Sequence, residues 1–385
     1  MDRWEEDSLG RLPISGDAPY GIHTARALAL GAVGRRPLSC FSDYVTALLD
    51  VKVACARANR QAGHIKGPDL ERIEARVKTI RLQNPADLFP VDLLLGGGSI
   101  AINRNVNEIV GFPQANLSQS TADVCHTALR VALYRLGGQV LNQVDSLVLV
   151  IEKRAAETQN IPTIARTCLR DAMATTYGAY FSGVAAGLRR QSQELKRTRD
   201  TLLQVNLGGT VIGDGTGASA AYRTCVLDLL KDVTGIAWVA RENLFDAAQN
   251  SDDLGTFSGS LVSLGRLYLK FAKDLRLLSS GPAAGLNEIS LKSTIEGSSF
   301  FPGKINPMIP ETVIQCAIQI IGNHAAVQSA LEQTELNLNV FESVMAANLN
   351  DSLRILEQAT RLISTCVDTL EINRAVCERH RETLS

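Results

Sequence analysis

The chain has 385 residues, of which 45% are hydrophobic and 21% charged, and its net charge is −1. At about 150 residues per domain the length suggests two or three domains with ample chain for a large core. The charge balance argues against a general polyanion binder, so no nucleic-acid partner is expected. The acidic opening, Met1-Asp2-Arg3-Trp4-Glu5-Glu6-Asp7, has no apolar core. No apolar run reaches about 18 residues, so neither a signal peptide nor a membrane span is expected. Eight scattered cysteines contain no Cys-x-x-Cys pair. That spacing indicates no zinc site and no disulfide framework, and a reduced, cytoplasmic setting follows as the default.

Proline placement sets the elements. Seven of the twelve prolines fall within residues 1–113, none lies between Pro162 and Pro282, and none follows Pro310. A proline inside a helix costs about 3 kcal/mol, so the gaps are where long helices can run. Residues 1–113 read as mixed, with short helices and a glycine run at Gly96-Gly97-Gly98. Ser120-Thr121-Ala122-Asp123 reads as a capping box opening a helix that continues to about residue 158, with Gly137-Gly138 as a candidate break. A second helical stretch is expected over about 170–202, followed by the glycine-rich segment 208–217. A third is expected over about 254–279 and a fourth over about 310–347. Residues 311–385 hold one glycine and no proline, so a further helix or pair should close the chain. The architecture expected is mainly α, with a first domain at 1–113, a central long-helix domain at 114–347 and a short helical domain at 348–385.

Two glycine segments invite a nucleotide reading, and both fail it. Gly213-Asp214-Gly215-Thr216-Gly217 lacks the βαβ context and spacing of a dinucleotide loop. Gly297–Lys304 has five residues between its glycines instead of four, and Ile305 follows the lysine where a phosphate loop needs Ser or Thr. The second segment is nevertheless chemically rich. Ser298, Ser299, Lys304 and Asn306 lie within the proline-dense insert 282–310 between long helices. A loop offering hydroxyls, a cation and an amide suits an active site that handles anions. The five histidines form no His-x-x-x-His pair, and no metal ligand set is read.

The segment Gly297-Ser298-Ser299-Phe300-Phe301-Pro302-Gly303-Lys304-Ile305-Asn306-Pro307 resembles the signature loop of the aspartase/fumarase superfamily, Gly-Ser-Ser-x-Met-Pro-x-Lys-x-Asn-Pro. Further segments resemble that family in the same chain order. They are Tyr20–Thr24, Asn103–Glu108 (Asn-x-Asn-x-Asn-Glu), Ser118–Asp123 (Ser-Gln-Ser-Thr-Asn-Asp), Ala165–Ala172 (Gly-Arg-Thr-His/Gln-Leu-Gln-Asp-Ala), Asp274–Pro282 and Leu336–Glu342. The resemblance implies a three-domain, mainly helical fold whose long helices form a 20-helix core in a homotetramer. It also implies composite active sites, a small dicarboxylate substrate and no cofactor.

The reaction the resemblance implies is anti-elimination from a substituted succinate, usually releasing fumarate. Its intermediate is an aci-carboxylate, which needs donors aimed at its extra charge. Ser298 matches the family's general base. Lys304 and Asn306, helped by Thr167, match the groups that hold the other carboxylate. Ser120, Thr121 and Ser299 match donors around the carboxylate that gains charge.

The chain also departs from the family pattern. Ile100-Ala101-Ile102 stands where Thr-Ser-Thr is usual, Ala122 where Asn is usual, Cys168 for His or Gln, and Ala283 for Arg. The His-Pro-Asn-Asp segment expected between Asn107 and Ser118 is missing. Ile, Ala and Cys remove hydrogen bonds that a small ammonium would need, each worth about 1 kcal/mol or more when buried. The pattern points to a leaving group other than free ammonia. The alternative reading is a non-catalytic scaffold, which has no need to keep Ser298, Lys304 and Asn306 together.

Overall fold

The computed structural model describes residues 2–384 except 293, 294, 296 and 298. A hairpin of β1 (Asp2–Asp7) and β2 (Gly10–Ser15) opens the chain. The helices α1 (Ile22–Ala29), α2 (Ser42–Gln61), α3 (Gly67–Ile80), α4 (Pro85–Leu88) and α5 (Ile100–Val110) follow. Helix α6 (Thr121–Glu157) leads to a second hairpin, β3 (Pro162–Thr167) and β4 (Arg170–Thr176), and then to α7 (Tyr177–Thr201). The two-residue strands β5 (Gln204–Val205) and β6 (Val239–Ala240) pair in parallel around α8 (Ala220–Thr234). Next come α9 (Leu244–Gln249), α10 (Asp252–Leu278), β7 (Ile289–Ser290), α11 (Met308–Leu331) and α12 (Glu342–Thr369). Strand β8 (Glu371–Ile372), antiparallel to β7, and helix α13 (Arg374–Glu382) end it. No helix among the described residues is long and apolar enough to cross a membrane.

The expected helix from residue 121 is present and runs unbroken through Gly137-Gly138. Its start is the capping box read from the sequence. Ser120 N–H donates to Asp123 Oδ1 at 2.8 Å and Ala122 N–H to Ser120 Oγ at 3.3 Å. Residues 122–133 are all buried, so this stretch is apolar round its whole circumference rather than amphipathic.

Two helix expectations are corrected. The stretch 170–202 is helical only from Tyr177, because 162–176 forms the β3–β4 hairpin. The stretch 310–347 is two helices. Asn339 stops the run by wrapping the connecting turn: its Nδ2 donates to Ala330 O and Thr334 Oγ1, and its Oδ1 accepts from Phe341 N–H.

The chain divides into two compact units. Unit 1 comprises residues 1–136, 199–256 and 325–350; unit 2 comprises 137–198, 257–324 and 351–385. In unit 1 the centre is α2, whose residues 47–56 are all buried. In unit 2 the apolar centre includes Phe181, Tyr268, Phe271 and Leu356, all nearly inaccessible.

Candidate active site

In unit 1 the sequence-predicted pair Ser120 and Thr121 sits at the N-terminus of α6, where free N–H groups and the helix dipole favour an anion. Behind them lies a buried polar layer. Thr121 Oγ1 accepts from Asn103 Nδ2 at 3.0 Å. Asn116 Oδ1 accepts from Asn103 Nδ2, Asn107 Nδ2 and Lys52 Nζ at 3.2, 3.1 and 2.8 Å. Lys52 Nζ also donates to Gln119 Oε1 at 3.0 Å, and the residue is wholly buried. Burial pushes the Lys52 ammonium down to about 8. Asp123 accepts three backbone N–H bonds, from Ser120, Gly208 and Thr210. Burial pushes its carboxyl up to about 7, against those bonds and the Lys52 charge, which favour the ionised form. The glycine-rich segment is therefore a cradle for a carboxylate of the protein itself.

Glu108 explains why two sequence motifs occur together. Its carboxylate caps α1 by accepting from the N–H groups of Gly21, His23 and Thr24 at 2.8–3.0 Å. The Asn-x-Asn-x-Asn-Glu segment thus positions the Tyr-Gly-Ile-His-Thr segment. The departures also have places. Ile102 belongs to the core, Ala101 packs against Ala27, Val91 and Leu95, and Ile100 is 53% exposed. Ala122 is buried in the first turn of α6. Asp214 is spent locally, accepting from the Thr216 N–H and hydroxyl at 2.9 and 2.6 Å.

In unit 2, Thr167 ends β3 and is exposed beside a two-residue turn, Cys168-Leu169. Both turn residues have positive φ, 52° and 59°. Such turns favour Asn-Gly, because the left-handed region costs an ordinary side chain roughly 1–3 kcal/mol. Strain is therefore concentrated where the replaced residue Cys168 stands. Glu288, with its side chain fully buried, holds this strand at both Thr163 and Arg166. It accepts from Thr163 Oγ1 at 2.8 Å, Arg166 Nη2 at 2.5 Å, Tyr177 Oη at 3.0 Å and His380 Nδ1 at 2.8 Å.

The insert 282–310 is also in unit 2. Gly297 packs so closely on Lys304 that an added Cβ would lie 1.8 Å from the Lys304 carbonyl oxygen, so only glycine fits there. Ser299, Lys304 and Asn306 are exposed. Lys304 Nζ lies 5.8 Å from the ring centre of Phe301, and among the described residues no carboxylate pairs with it. Ser298, the predicted base, lies outside the described residues. No hydrogen bond between described residues joins Thr167 to Lys304 or Asn306. Lys52, Asn103, Asn116 and Glu288 were not singled out as site residues by sequence reasoning. The Asn-x-Asn-x-Asn-Glu match was the one signal that pointed at any of them.

Long helices with a hydroxyl pair at one helix start, a hairpin-borne threonine, and a loop whose lysine has no carboxylate partner among the described residues match the features expected of a lyase of the aspartase/fumarase type. Comparison with known proteins agrees. The lyase family model matches residues 10–322. The chain is 34% identical to the aspartate ammonia-lyase of Escherichia coli K12, over 98% of this chain and 83% of that one. It is 36% identical to the aspartate ammonia-lyase of Pseudomonas aeruginosa, over 97% and 84%. Among solved structures it is similar to a cobalt-bound fumarate lyase:delta crystallin from Brucella melitensis, with a TM-score of 0.95, 37% identity and coverage of 99% and 87%. It is also similar to the class II fumarase of Schistosoma mansoni, with a TM-score of 0.94, 27% identity and the same coverage. The chain belongs to the aspartase/fumarase superfamily and is an ammonia-lyase-like enzyme of it.

Proposed function

We propose that the enzyme catalyses anti β-elimination, or the reverse addition, on an aspartate-like substituted succinate, with fumarate as the unsaturated product. Ser298 removes the proton next to a carboxylate. Ser120, Thr121 and Ser299 donate to that carboxylate as it gains charge in the aci form, and Lys304, Asn306 and Thr167 hold the other one. An ordinary serine is a poor base, so its alkoxide requires nearby positive charge and amide donors. Lys304 and the loop backbone are the candidates. The leaving group is other than free ammonia, because Ile100, Ala122 and Cys168 offer no matching hydrogen bonds.

The observation that carries this reading is the loop itself: an exposed cation with no carboxylate partner among the described residues, next to an amide, on a backbone that admits only glycine at position 297. In the same reading the chain divides at 113/114 and 347/348 and acts in the cytoplasm as a homotetramer with composite sites. Supporting assembly, α11 exposes Thr312, Gln315, Ile318, Gln319 and Gly322 without one charged residue between Thr312 and Leu331. Depletion of charge on an exposed face is the mark of a covered interface.

The test is ultraviolet absorbance of fumarate with aspartate, malate and N-substituted aspartates. Turnover of an N-substituted aspartate, with Lys304→Met raising KM about 100-fold, is the expected result. Full turnover on aspartate alone overturns the changed leaving group. No product from any substrate overturns the catalytic reading in favour of a scaffold.

A further inference from the structure

Glu288 stands at the root of the loop. Its backbone N–H donates to Leu278 O at the end of α10, and its carbonyl accepts from Asn373 N–H, both at 2.9 Å. The next two residues form β7, paired to β8. Leu291 and Lys292, just beyond, line one small cavity with Asn306, Pro307 and Thr369, so the two ends of the loop meet there.

The side chain faces the hairpin. Thr163 and Arg166 are three residues apart, and on a regular strand they would point to opposite faces. The register of β3 against β4 shifts between Ala165 and Arg166. The residue left without a partner, Ala172, lies on β4, so β3 keeps its alternation and the long Arg166 side chain reaches round to the carboxylate that Thr163 also meets. Arg166 immediately precedes Thr167.

The last partner comes from α13. A carboxylate only accepts, so His380 Nδ1 must carry the proton it shares with Glu288 Oε1. Arg166 Nη2, 3.4 Å from the same nitrogen, is then a neighbour and not its donor. Burial alone would raise the Glu288 carboxyl. Bonds from Arg166, His380 and Thr163 outweigh it and hold the group below its ordinary value.

We infer that Glu288 is a positioning residue which, through Arg166 and His380, clamps helix α13, the strand that presents Thr167 and the root of the loop bearing Lys304 and Asn306 into one unit. The inference rests on the proposed elimination for its kinetic consequence and on geometry for its mechanical one. A side chain placed about 1 Å off can cost roughly 100-fold in rate, and Thr167 sits one residue from the clamp.

The experiment uses the full chain with His380→Ala, His380→Asn and His380→Gln. Asparagine puts an N–H donor close to where Nδ1 lies, whereas glutamine places its amide nearer the position of Nε2. Expected for His380→Ala is a drop in kcat/KM of about tenfold or more. His380→Asn restores most of that loss and His380→Gln does not. Amide hydrogen exchange over residues 163–172 and 288–292 should rise in the alanine variant and return in the asparagine variant. A lower melting temperature with unchanged kcat/KM and unchanged exchange at the hairpin overturns the clamp, as does equal loss in the alanine and asparagine variants. If the wild type turns over no substrate, the proposed function fails, and the exchange comparison still decides the clamp.

Discussion

Replacing Asp123 by asparagine tests whether one buried carboxylate joins the start of α6 to the glycine-rich segment. Its Oδ2 accepts from Gly208 N–H and Thr210 N–H, each at 3.1 Å, and its Oδ1 from Ser120 N–H at 2.8 Å. An asparagine has one oxygen. Turned toward Gly208 and Thr210, it keeps two bonds and sets its own N–H₂ against Ser120 N–H. One hydrogen bond to a charged group is lost, worth about 1.5–3 kcal/mol. Alanine orphans all three buried donors, at roughly 1–3 kcal/mol each. At pH 8, above the value of about 7 to which burial raises this carboxyl, the wild-type group is ionised. The expected losses are therefore roughly 2 kcal/mol for Asp123→Asn and at least twice that for Asp123→Ala. Urea unfolding followed by Trp238, which is buried in unit 1, reads this directly. An asparagine variant with the wild-type midpoint, or an alanine variant no worse than asparagine, refutes the cradle.

Three further outcomes are expected. Burial pushes Glu342 up to about 8 and its 3.0 Å partner His126 down to about 3, so the shared proton sits on Glu342 at neutral pH. Glu342→Gln then costs under about 1 kcal/mol, while Glu342→Ala removes the acceptor that Tyr44 Oη meets at 3.2 Å and the partner of His126 Nε2 and costs about 3 kcal/mol; equal losses by urea titration contradict this. Glu288 is held below its ordinary value of 4.5, so the unfolded chain binds more protons there. Its contribution is complete above about pH 4.5 and lost as pH falls through the folded value, so the stability gap between wild type and Glu288→Gln should shrink on acidification; a gap that widens reverses the sign. The double change Cys168→Asn with Leu169→Gly relieves two left-handed side chains and should raise stability by about 1–2 kcal/mol. A lower melting temperature contradicts it.

How much was readable varied with the kind of signal. Helix α6 announced itself through its capping box and proline-free run, because local hydrogen bonding fixes a helix start. The β3–β4 hairpin did not, since its turn is Cys168-Leu169 and lacks the Asn or Gly that such turns favour. The break between α11 and α12 carries no glycine or proline; the Asn339 side chain makes it, and only folding reveals which turn an asparagine wraps. Likewise nothing local marks Lys52 as buried. It is an ordinary helical lysine until α2 is packed on all sides. The loop 297–307 stood out in the sequence through its serines, lysine and asparagine, whereas the close approach to Lys304 that requires glycine at 297 is visible only in the fold.

The most direct measurement is the initial rate of fumarate formation from N-substituted aspartates beside aspartate, for the wild type and Ser298→Ala. The account predicts product from an N-substituted substrate and a fall of about 100- to 10,000-fold on losing the serine. Undiminished turnover by Ser298→Ala, or no fumarate from any substrate, contradicts it.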